Sequence, residues 1–138
     1  MTKRPMAAAF DNLKYDAKGL IPAIVQDAQS KTVLMMGWMN RESIQKTIET
    51  GKVHFFSRSR NKLWQKGESS GHVLRVREIR VDCDADALLV RVEAVGPGVC
   101  HEGYRSCFFR AVEPGGDMRV IAERTYSPEE VYGSEKRQ

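Results

Sequence analysis

The clearest constraint on the fold of this chain is the strand period of residues 87–95. Their apolar side chains fall on alternate positions, at Leu88, Val90, Val92 and Ala94. Such alternation places one face of a strand against a core and the other toward solvent. A Gly-Pro-Gly sequence ends the pattern at residues 96–98, because glycine and proline interrupt strands. The sequence therefore predicts a β-sheet domain in which this segment is the best-defined strand.

Other local patterns predict further strands and short helices. Strands are expected at residues 20–26, 32–36, 53–57 and 73–82, and a closing hairpin is expected at residues 108–112 and 118–122. Asn40 and Gly51 are typical caps for a helix over residues 41–50. Ser127 followed by Pro128 is typical of the start of a second, shorter helix. We therefore expect a mainly β (α+β) fold, with an antiparallel sheet and one or two short helices.

The predicted strand over residues 73–82 changes phase along its length. Its apolar residues fall first on even and then on odd numbers, at Leu74 and Val76 and then at Ile79 and Val81. One extra residue in a strand produces such a slip and often re-aims side chains beside a functional site. The pattern therefore predicts a β-bulge near residues 77–78.

Length and composition indicate one globular domain. The chain has 138 residues, 41% hydrophobic and 29% charged, which is typical of a soluble protein with a real core. No apolar run approaches the roughly 20 residues of a membrane span. We expect residues 1–15 to be a loosely ordered lead-in and residues 16–138 to form the domain.

Cysteine usage and charge indicate a compartment and a class of partner. Residues 1–10 lack a convincing secretory signal, and an odd number of cysteines, three, argues against a disulfide framework. A reducing cytoplasm is therefore expected. The net charge of +4 and the pI near 9.1 suit an anionic partner, either nucleic acid or a small phosphorylated substrate.

Three aspartates alternate in a short stretch, at Asp82, Asp84 and Asp86. If that stretch is extended, the three carboxylates share one face and repel one another unless a cation lies among them. Oxygen-only sites suit hard ions such as Mg²⁺. Cys83 would then face the other way, toward a softer metal such as zinc. A solvated acidic turn is the simpler alternative.

An EF-hand is a sharper rival for the same residues. The three aspartates and Glu93 occupy the first, third, fifth and twelfth ligand positions of its loop. However, Ala87 stands where that loop needs glycine, and the residues after it have a strand period instead of a helical one. The pattern therefore argues against an EF-hand.

Cys83, Cys100 and Cys107 contain no C-x-x-C knuckle, which argues against a zinc finger. Three thiolates would fit an open, catalytic zinc site, although spacing alone does not bring Cys83 to the other two. His101 directly follows Cys100. It is open at this point whether that histidine is a fourth ligand, a proton carrier or an ordinary surface residue.

Residues 59–71 are polar and contain glycine, and we expect them to form a long loop. Four cations lie in or beside it, at Arg58, Arg60, Lys62 and Lys66. Guanidinium groups and serine hydroxyls bind phosphate oxygens well. Trp64 would stack on a base or fill the core. A solvated basic loop is the alternative.

Several of these motifs, taken in order, resemble phosphoribosyl-AMP cyclohydrolase, the enzyme of histidine biosynthesis that opens the adenine ring. The matching motifs are Trp38-Met39-Asn40, Ser57-Arg58-Ser59-Arg60, the run from Trp64 to His72, Asp82-Cys83-Asp84-Ala85-Asp86, Cys100-His101 and Cys107. The resemblance covers roughly residues 15–112 and suggests the stand-alone form, without a downstream pyrophosphohydrolase domain. The resemblance does not extend to residues 113–138, in which we recognise no motif.

The resemblance implies a metal set and a quaternary structure. Asp82, Asp84 and Asp86 would bind Mg²⁺. Cys83, Cys100 and Cys107 would bind Zn²⁺, with the first supplied across a homodimer interface. The implied partner is a small phosphorylated nucleotide and not a nucleic acid or a membrane.

The implied reaction is hydrolysis of the N1–C6 bond of N1-(5-phosphoribosyl)-AMP by a zinc-activated water. His101 and His72 are candidate catalytic acids. The candidate substrate-binding residues are Arg58, Arg60, Lys62, Trp64, Lys66, Glu68, Ser69 and Ser70. Two rivals are a zinc nucleoside deaminase, whose H-x-E…P-C-x-x-C motif is missing, and a zinc-stabilised nucleic-acid-binding module.

Overall fold

The computed structural model describes residues 10–132. Its elements in chain order are β1 (Ile21–Asp27), β2 (Val33–Met39), α1 (Arg41–Thr50), β3 (His54–Ser57), β4 (Lys62–Gln65), β5 (Leu74–Val81), β6 (Leu88–Ala94), β7 (Arg110–Val112), β8 (Met118–Val120) and α2 (Pro128–Tyr132). Strands β2, β1, β6 and β5 form a four-stranded sheet in that spatial order. The pairs β3–β4 and β7–β8 each form a two-stranded ribbon.

The predicted mainly β fold with short helices is confirmed, and most strand pairs are antiparallel. The central pair differs, because β1 and β6 run parallel. Parallel neighbours need a long crossover connection. Here the chain returns through α1 and the β3–β4 ribbon, which therefore lie against the sheet instead of extending it.

The core lies on one face of the four-stranded sheet. Val25, Val90 and Val92 are fully buried there, together with Ile44 from α1 and Phe55 from β3. Phe55 packs so closely on β2 that a Cβ at Gly37 would lie 2.6 Å from its ring. Glycine at that position therefore lets the β3–β4 ribbon close onto the sheet.

The predicted helix over residues 41–50 is confirmed together with its caps. The Asn40 side chain accepts a hydrogen bond from the Ser43 N–H at 2.8 Å, and the Ser43 hydroxyl accepts one from the Asn40 N–H at 2.8 Å. Gly51 ends the helix with a φ of 74°, a left-handed conformation that glycine adopts without strain. The Thr47 hydroxyl accepts a hydrogen bond from the His54 N–H and so ties α1 to β3.

The predicted bulge in β5 is confirmed. The pairing with β6 shifts between Val76 and Glu78, which leaves Arg77 as the extra residue. The predicted closing hairpin is also confirmed, as β7 and β8. Two predictions were wrong in part, because β2 continues to Met39 and residues 62–65 of the expected loop form β4. Four residues carry too short a pattern to indicate a strand, and it is the pairing with β3 that stabilises them.

The predicted lead-in (residues 1–15) and domain (residues 16–138) extend beyond the described residues at both ends and stay predictions. Within the lead-in, Leu13 is buried, and the Lys14 N–H donates a hydrogen bond to the Ala85 carbonyl at 2.7 Å. Between residues 10 and 132, neither helix is long and apolar enough to cross a membrane.

Candidate functional site

The three aspartates lie in the turn that joins β5 to β6, so the stretch is not extended. Ala85 has a φ of 61°, which bends the chain back on itself. The Asp82 carboxylate accepts hydrogen bonds from the N–H groups of Asp86 at 3.0 Å and Ala87 at 3.3 Å. One carboxylate oxygen from each aspartate lies within 4.8 Å of the others. The expected convergence of carboxylates is therefore present, but the turn produces it.

Hydrogen bonds and charges within this acidic turn (residues 82–86) shift the pKa values of Asp82 and Asp86. The N–H of Asp86 bonds to Asp82 and holds the pKa of the Asp82 carboxyl below its usual range. The hydrogen bond with Asp82 and the negative charge of Asp82 raise the pKa of Asp86. Three exposed carboxylates that repel one another in this way fit a hard cation such as Mg²⁺, because the donors are all oxygens.

The second cluster is a pair of thiols, Cys100 and Cys107, which we call the thiol pair. Cys100 is buried and Cys107 is half-buried, and neither is in a disulfide. Burial, the Cys100 charge and a hydrogen bond with Cys100 raise the pKa of Cys107 to about 12, and the nearby Lys66 ammonium opposes the rise. Two adjacent sulfur donors, with the Cys107 thiol resisting ionisation in the absence of a metal, fit a soft metal ion, which stabilises thiolates.

Lys66 follows β4 immediately and lies close enough to the thiol pair for its charge to interact with both sulfurs. Its ammonium group donates a hydrogen bond to the Val99 carbonyl at 2.6 Å. Burial lowers the pKa of Lys66, and the neighbouring Cys107 and Cys100 oppose that change. The ammonium is therefore a desolvated cation directed at the thiol pair, and not a flexible surface charge.

The two candidate histidines have different surroundings. His72 is half-buried, and its Nδ1 lies 3.0 Å from the Gly98 carbonyl. Since a carbonyl only accepts, Nδ1 must carry the hydrogen, and Nε2 is left as the atom that takes up or releases a proton. His101 is exposed, with Nε2 3.7 Å from a Glu102 carboxylate oxygen.

Cys83 does not join the thiol pair within the chain. It is exposed in the acidic turn. Across residues 10–132, the aspartates are the only group of three or more His, Cys, Asp or Glu ligand atoms that lie within 4.8 Å of one another. The chain therefore brings together two of the three predicted zinc ligands, and Cys83 as a third ligand stays a prediction.

A cavity of about 560 Å³ opens beside β2 and the β3–β4 ribbon. Trp38, Arg58 and Trp64 line it, with the hydroxyls of Ser57 and Ser59. The Arg58 guanidinium lies 4.7 Å from the centroid of the Trp38 ring. Flat aromatic surfaces next to a guanidinium group and hydroxyls suit a planar heterocycle that carries phosphate.

Trp64 lines the cavity and also lies near Lys66, the cation beside the thiol pair. Its ring packs against Phe55 with centroids 5.2 Å apart, and the Lys66 ammonium lies 6.0 Å from the Trp64 ring centroid. Trp64 therefore packs on the core and also lines the cavity, and its stacking on a base stays a prediction.

The other predicted substrate-binding residues lie at different places along the ribbon. Arg60, Lys62 and Ser69 are exposed. The Glu68 carboxylate accepts a hydrogen bond from the Gln65 N–H at 3.0 Å, and the Ser70 hydroxyl accepts one from the His72 N–H at 3.1 Å. Glu68 and Ser70 thus shape the turn that leads from β4 to His72.

Sequence reasoning missed two residues of this site. Trp38 was noted only within a motif, yet it forms a wall of the cavity. Tyr126 contacts His72 with ring centroids 4.9 Å apart and donates a hydrogen bond to the Cys100 carbonyl. The position of Trp38 in that motif was a usable signal, whereas no local pattern marks Tyr126.

Comparison with known proteins relates this chain to one enzyme family. The family model described as phosphoribosyl-AMP cyclohydrolase matches residues 35–109. The phosphoribosyl-AMP cyclohydrolase of Methanosarcina mazei is 58% identical over 89% of this chain and 98% of its own length. That of Solibacter usitatus is 60% identical over 83% of this chain and 90% of its own.

A longer relative matches over part of its length. The histidine biosynthesis bifunctional protein HisIE of Thermosynechococcus vestitus is 58% identical over 80% of this chain and 51% of its own length. The family model covers more than half of the chain, and the relatives far exceed the identity at which a family is shared. The chain belongs to the phosphoribosyl-AMP cyclohydrolase family.

Proposed function

We propose that this protein hydrolyses the N1–C6 bond of N1-(5-phosphoribosyl)-AMP in histidine biosynthesis. Family membership supports the reaction class. The observation that favours it most is the meeting of the thiol pair, the Lys66 ammonium and the oriented His72 imidazole at the loop that carries Cys100, with Lys66 also near the Trp64 ring of the cavity. A base bound against Trp64 would lie next to groups suited to a metal and to proton transfer.

Zinc is the proposed metal at the thiol pair, with Cys100 and Cys107 from one subunit and Cys83 from a partner subunit. A zinc ion held there would supply Lewis acidity that makes water nucleophilic near neutral pH. Two observations support the shared site. The pair is one thiolate short of the three ligands of an open zinc site, and Cys83 is exposed and separate from it. The protein would therefore act as a homodimer.

Magnesium is the proposed metal at Asp82, Asp84 and Asp86. The all-oxygen donors and the mutual repulsion of these carboxylates support a hard cation. A cation held by exposed carboxylates keeps positions open for other oxygens. The phosphates of the substrate are the natural ligands for those positions.

The side chains of the cavity would position the substrate. Trp38 and Trp64 offer flat surfaces for the base, and Arg58, with Arg60 and Lys62 on the same ribbon, offers cations for phosphate. Holding the reacting carbon close to the nucleophile raises its effective concentration.

The reaction also needs a proton donor for the departing nitrogen. Hydrolysis adds the oxygen of water to C6, breaks the N1–C6 bond and leaves N1 to take up a proton. His72 is the proposed acid, because its Nδ1–H is fixed on the Gly98 carbonyl and its Nε2 is free to carry that proton. His101, beside Glu102, is the alternative donor.

We infer that the protein works in the cytoplasm, since three free cysteines suit a reducing compartment. The proposed partner is the small phosphorylated nucleotide and not a nucleic acid. The test is a spectrophotometric assay of the purified protein with N1-(5-phosphoribosyl)-AMP, followed by mass spectrometry of the product. We expect a product that equals the substrate plus one water, formed without release of ammonia. Ammonia release would indicate a deaminase, and no turnover with both metals present would refute the proposal.

A further inference from the structure

The chain returns to the thiol pair through three residues near its C-terminal end, residues 124–126, which we call the strap. The strap lies outside residues 35–109, the part that the family model matches. It is bound to the loop over residues 97–103, which contains Cys100. The strap is therefore in a position to affect the thiol pair.

Backbone and side-chain hydrogen bonds hold the strap along that loop. The Arg124 Nε donates to the Glu102 carbonyl at 2.8 Å, and the Thr125 N–H donates to the Gly103 carbonyl at 2.8 Å. The Thr125 hydroxyl donates to the Pro97 carbonyl at 2.9 Å. The strap therefore holds both ends of the loop.

The contact is close enough to require glycine in the loop. A Cβ at Gly103 would lie 2.7 Å from the Tyr126 carbonyl oxygen, and the φ of Gly103 is 99°. A Cβ at Gly98 would lie 2.9 Å from the Thr125 hydroxyl. At these two glycines the loop backbone therefore lies directly against the strap, with no room for a Cβ atom.

An aromatic stack extends from the strap to the segment that follows Cys107. The Arg124 guanidinium lies 5.0 Å from the Tyr104 ring centroid. Tyr104 in turn stacks on Phe109 with centroids 3.8 Å apart and an interplanar angle of 5°. Tyr104 belongs to the Cys100 side and Phe109 to the Cys107 side, so the stack links the two halves of the thiol pair.

Tyr126 contacts both of the groups proposed for chemistry at this end of the site. Its hydroxyl donates a hydrogen bond to the Cys100 carbonyl, and its ring meets the His72 ring edge-on at an angle of 90°. His72 and Cys100 lie 28 positions apart in the sequence and on different segments of the chain. Tyr126 thus contacts both groups with one side chain, in addition to the direct hydrogen bond between His72 and the Gly98 carbonyl of the same loop.

We propose that Tyr126 is a positioning residue, which holds the Cys100 turn and the His72 imidazole in the relative placement that the reaction needs. The inference rests on the proposed function, because it assigns the placement of a metal ligand and a proton donor. It follows from the tolerance of such sites, where shifts of about 0.5 Å in a supporting group already reduce activity. A purely structural Tyr126 would contribute to folding and to nothing else.

The test replaces the hydroxyl alone, as Tyr126→Phe, and compares it with Tyr15→Phe. Tyr15 is a matched control, since it too is half-buried and donates to a backbone carbonyl, that of Phe10 at 3.1 Å, outside the proposed site. Both variants are assayed at saturating Zn²⁺ and Mg²⁺. Zn²⁺ affinity is measured separately, by competition with a chromophoric chelator in the absence of substrate.

We expect Tyr126→Phe to lower kcat by about tenfold and Zn²⁺ affinity by a similar factor, with KM within about twofold of wild type. Its melting temperature should match that of Tyr15→Phe, which should keep wild-type kcat and affinity. Tyr126→Leu, which also removes the ring from His72, should lower kcat further.

The proposal is overturned if Tyr126→Phe keeps the kcat and Zn²⁺ affinity of the control. It is also overturned if the variant fails to fold, because the hydroxyl would then serve the fold and not the placement of the site. An inactive wild-type protein would refute the proposed reaction. The comparison of Zn²⁺ affinities would still decide whether Tyr126 positions Cys100.

Discussion

The acidic turn and the thiol pair are both candidate metal sites, but they are built in opposite ways. The acidic turn is local, since residues 82–86 converge through their own hydrogen bonds and stay exposed. The thiol pair lies within one loop, but its surroundings come from distant segments, because Lys66 and Tyr126 reach that loop from elsewhere in the chain. A local, exposed oxygen cluster suits an exchangeable hard ion, whereas a buried sulfur pair suits a tightly held soft ion.

The two sites also have different anchors. The Cys107 N–H donates a hydrogen bond to the Leu34 carbonyl of β2 at 2.7 Å, and Cys100 is held by Tyr126. The acidic turn joins β5 to β6 and is held by its own hydrogen bonds and by the Lys14 N–H, which donates to the Ala85 carbonyl. Changes at the thiol pair should therefore affect metal retention and chemistry together, while changes at the three aspartates of the acidic turn should affect only the concentration of Mg²⁺ required.

The largest effect is expected at the thiol pair. Cys107→Ser should lower kcat/KM by at least about a thousandfold and remove bound zinc, because a hydroxyl is a poor ligand for a soft site. The neighbouring substitution Ser106→Ala, which removes hydroxyl hydrogen bonds to the backbone of Val33, Leu34 and Phe108 but no thiol, is the control. Metal analysis and steady-state kinetics are the measurements. Equal zinc content and activity in Cys107→Ser and the control would contradict the assignment.

The second prediction tests whether Cys83 completes the thiol pair of a partner subunit. Cys83→Ser and Cys107→Ser should each be inactive, but a heterodimer of the two would contain one intact composite site. Random exchange makes about half of the dimers mixed, so about a quarter of wild-type activity should return. Each variant mixed with itself is the control. Mixed dimers verified by mass spectrometry that remain inactive would indicate sites built within one chain.

A smaller effect is expected at the acidic turn. Asp84→Asn should raise the Mg²⁺ concentration needed for half-maximal activity by about tenfold while zinc content stays at the wild-type level. Asp117→Asn, an exposed aspartate in the β7–β8 turn, is the control. Brief chelation of the wild-type protein should remove activity that Mg²⁺ alone restores. Loss of zinc from Asp84→Asn would mean that the two sites are not independent.

The smallest effect concerns a carboxylate that the chain satisfies without any metal. Backbone hydrogen bonding from Ser30 is the main cause that lowers the pKa of Asp27, and the Arg105 guanidinium contributes at 3.2 Å. A lowered pKa stabilises the fold above the unfolded-state pKa, and this stabilisation is lost as the pH falls through the folded-state pKa. Asp27→Asn should therefore cost about 1 kcal/mol or less at neutral pH and flatten the acid side of the stability curve.

Denaturation across the acid range measures this effect, with turnover as a parallel readout. Asp27→Asn should leave kcat/KM at the wild-type value, since Asp27 lies at the end of β1 and outside the cavity. If the stability of Asp27→Asn fell with decreasing pH as that of wild type does, the Arg105 and backbone contacts would not stabilise the Asp27 carboxylate. A lowered kcat/KM would show that this region is coupled to the site.

Local features were predictable from the sequence. The Asn40 and Gly51 caps, the bulge after Val76 and the β7–β8 hairpin depend on neighbours within a few residues, so their patterns are visible in the chain itself. The composition of the acidic turn was equally visible. Its shape was not, because alternation of aspartates alone does not distinguish a strand from a turn with a positive φ at Ala85.

The sequence by itself determined the kinds of ligand and the motifs that indicate the family. The tertiary structure alone decided which of them meet. Parallel pairing of β1 with β6 sends the chain through a long crossover, which carries Lys66 and His72 to the loop of Cys100, and the strap then returns Tyr126 to the same place. Such contacts follow from burial and chain path over tens of residues, and no local pattern encodes them.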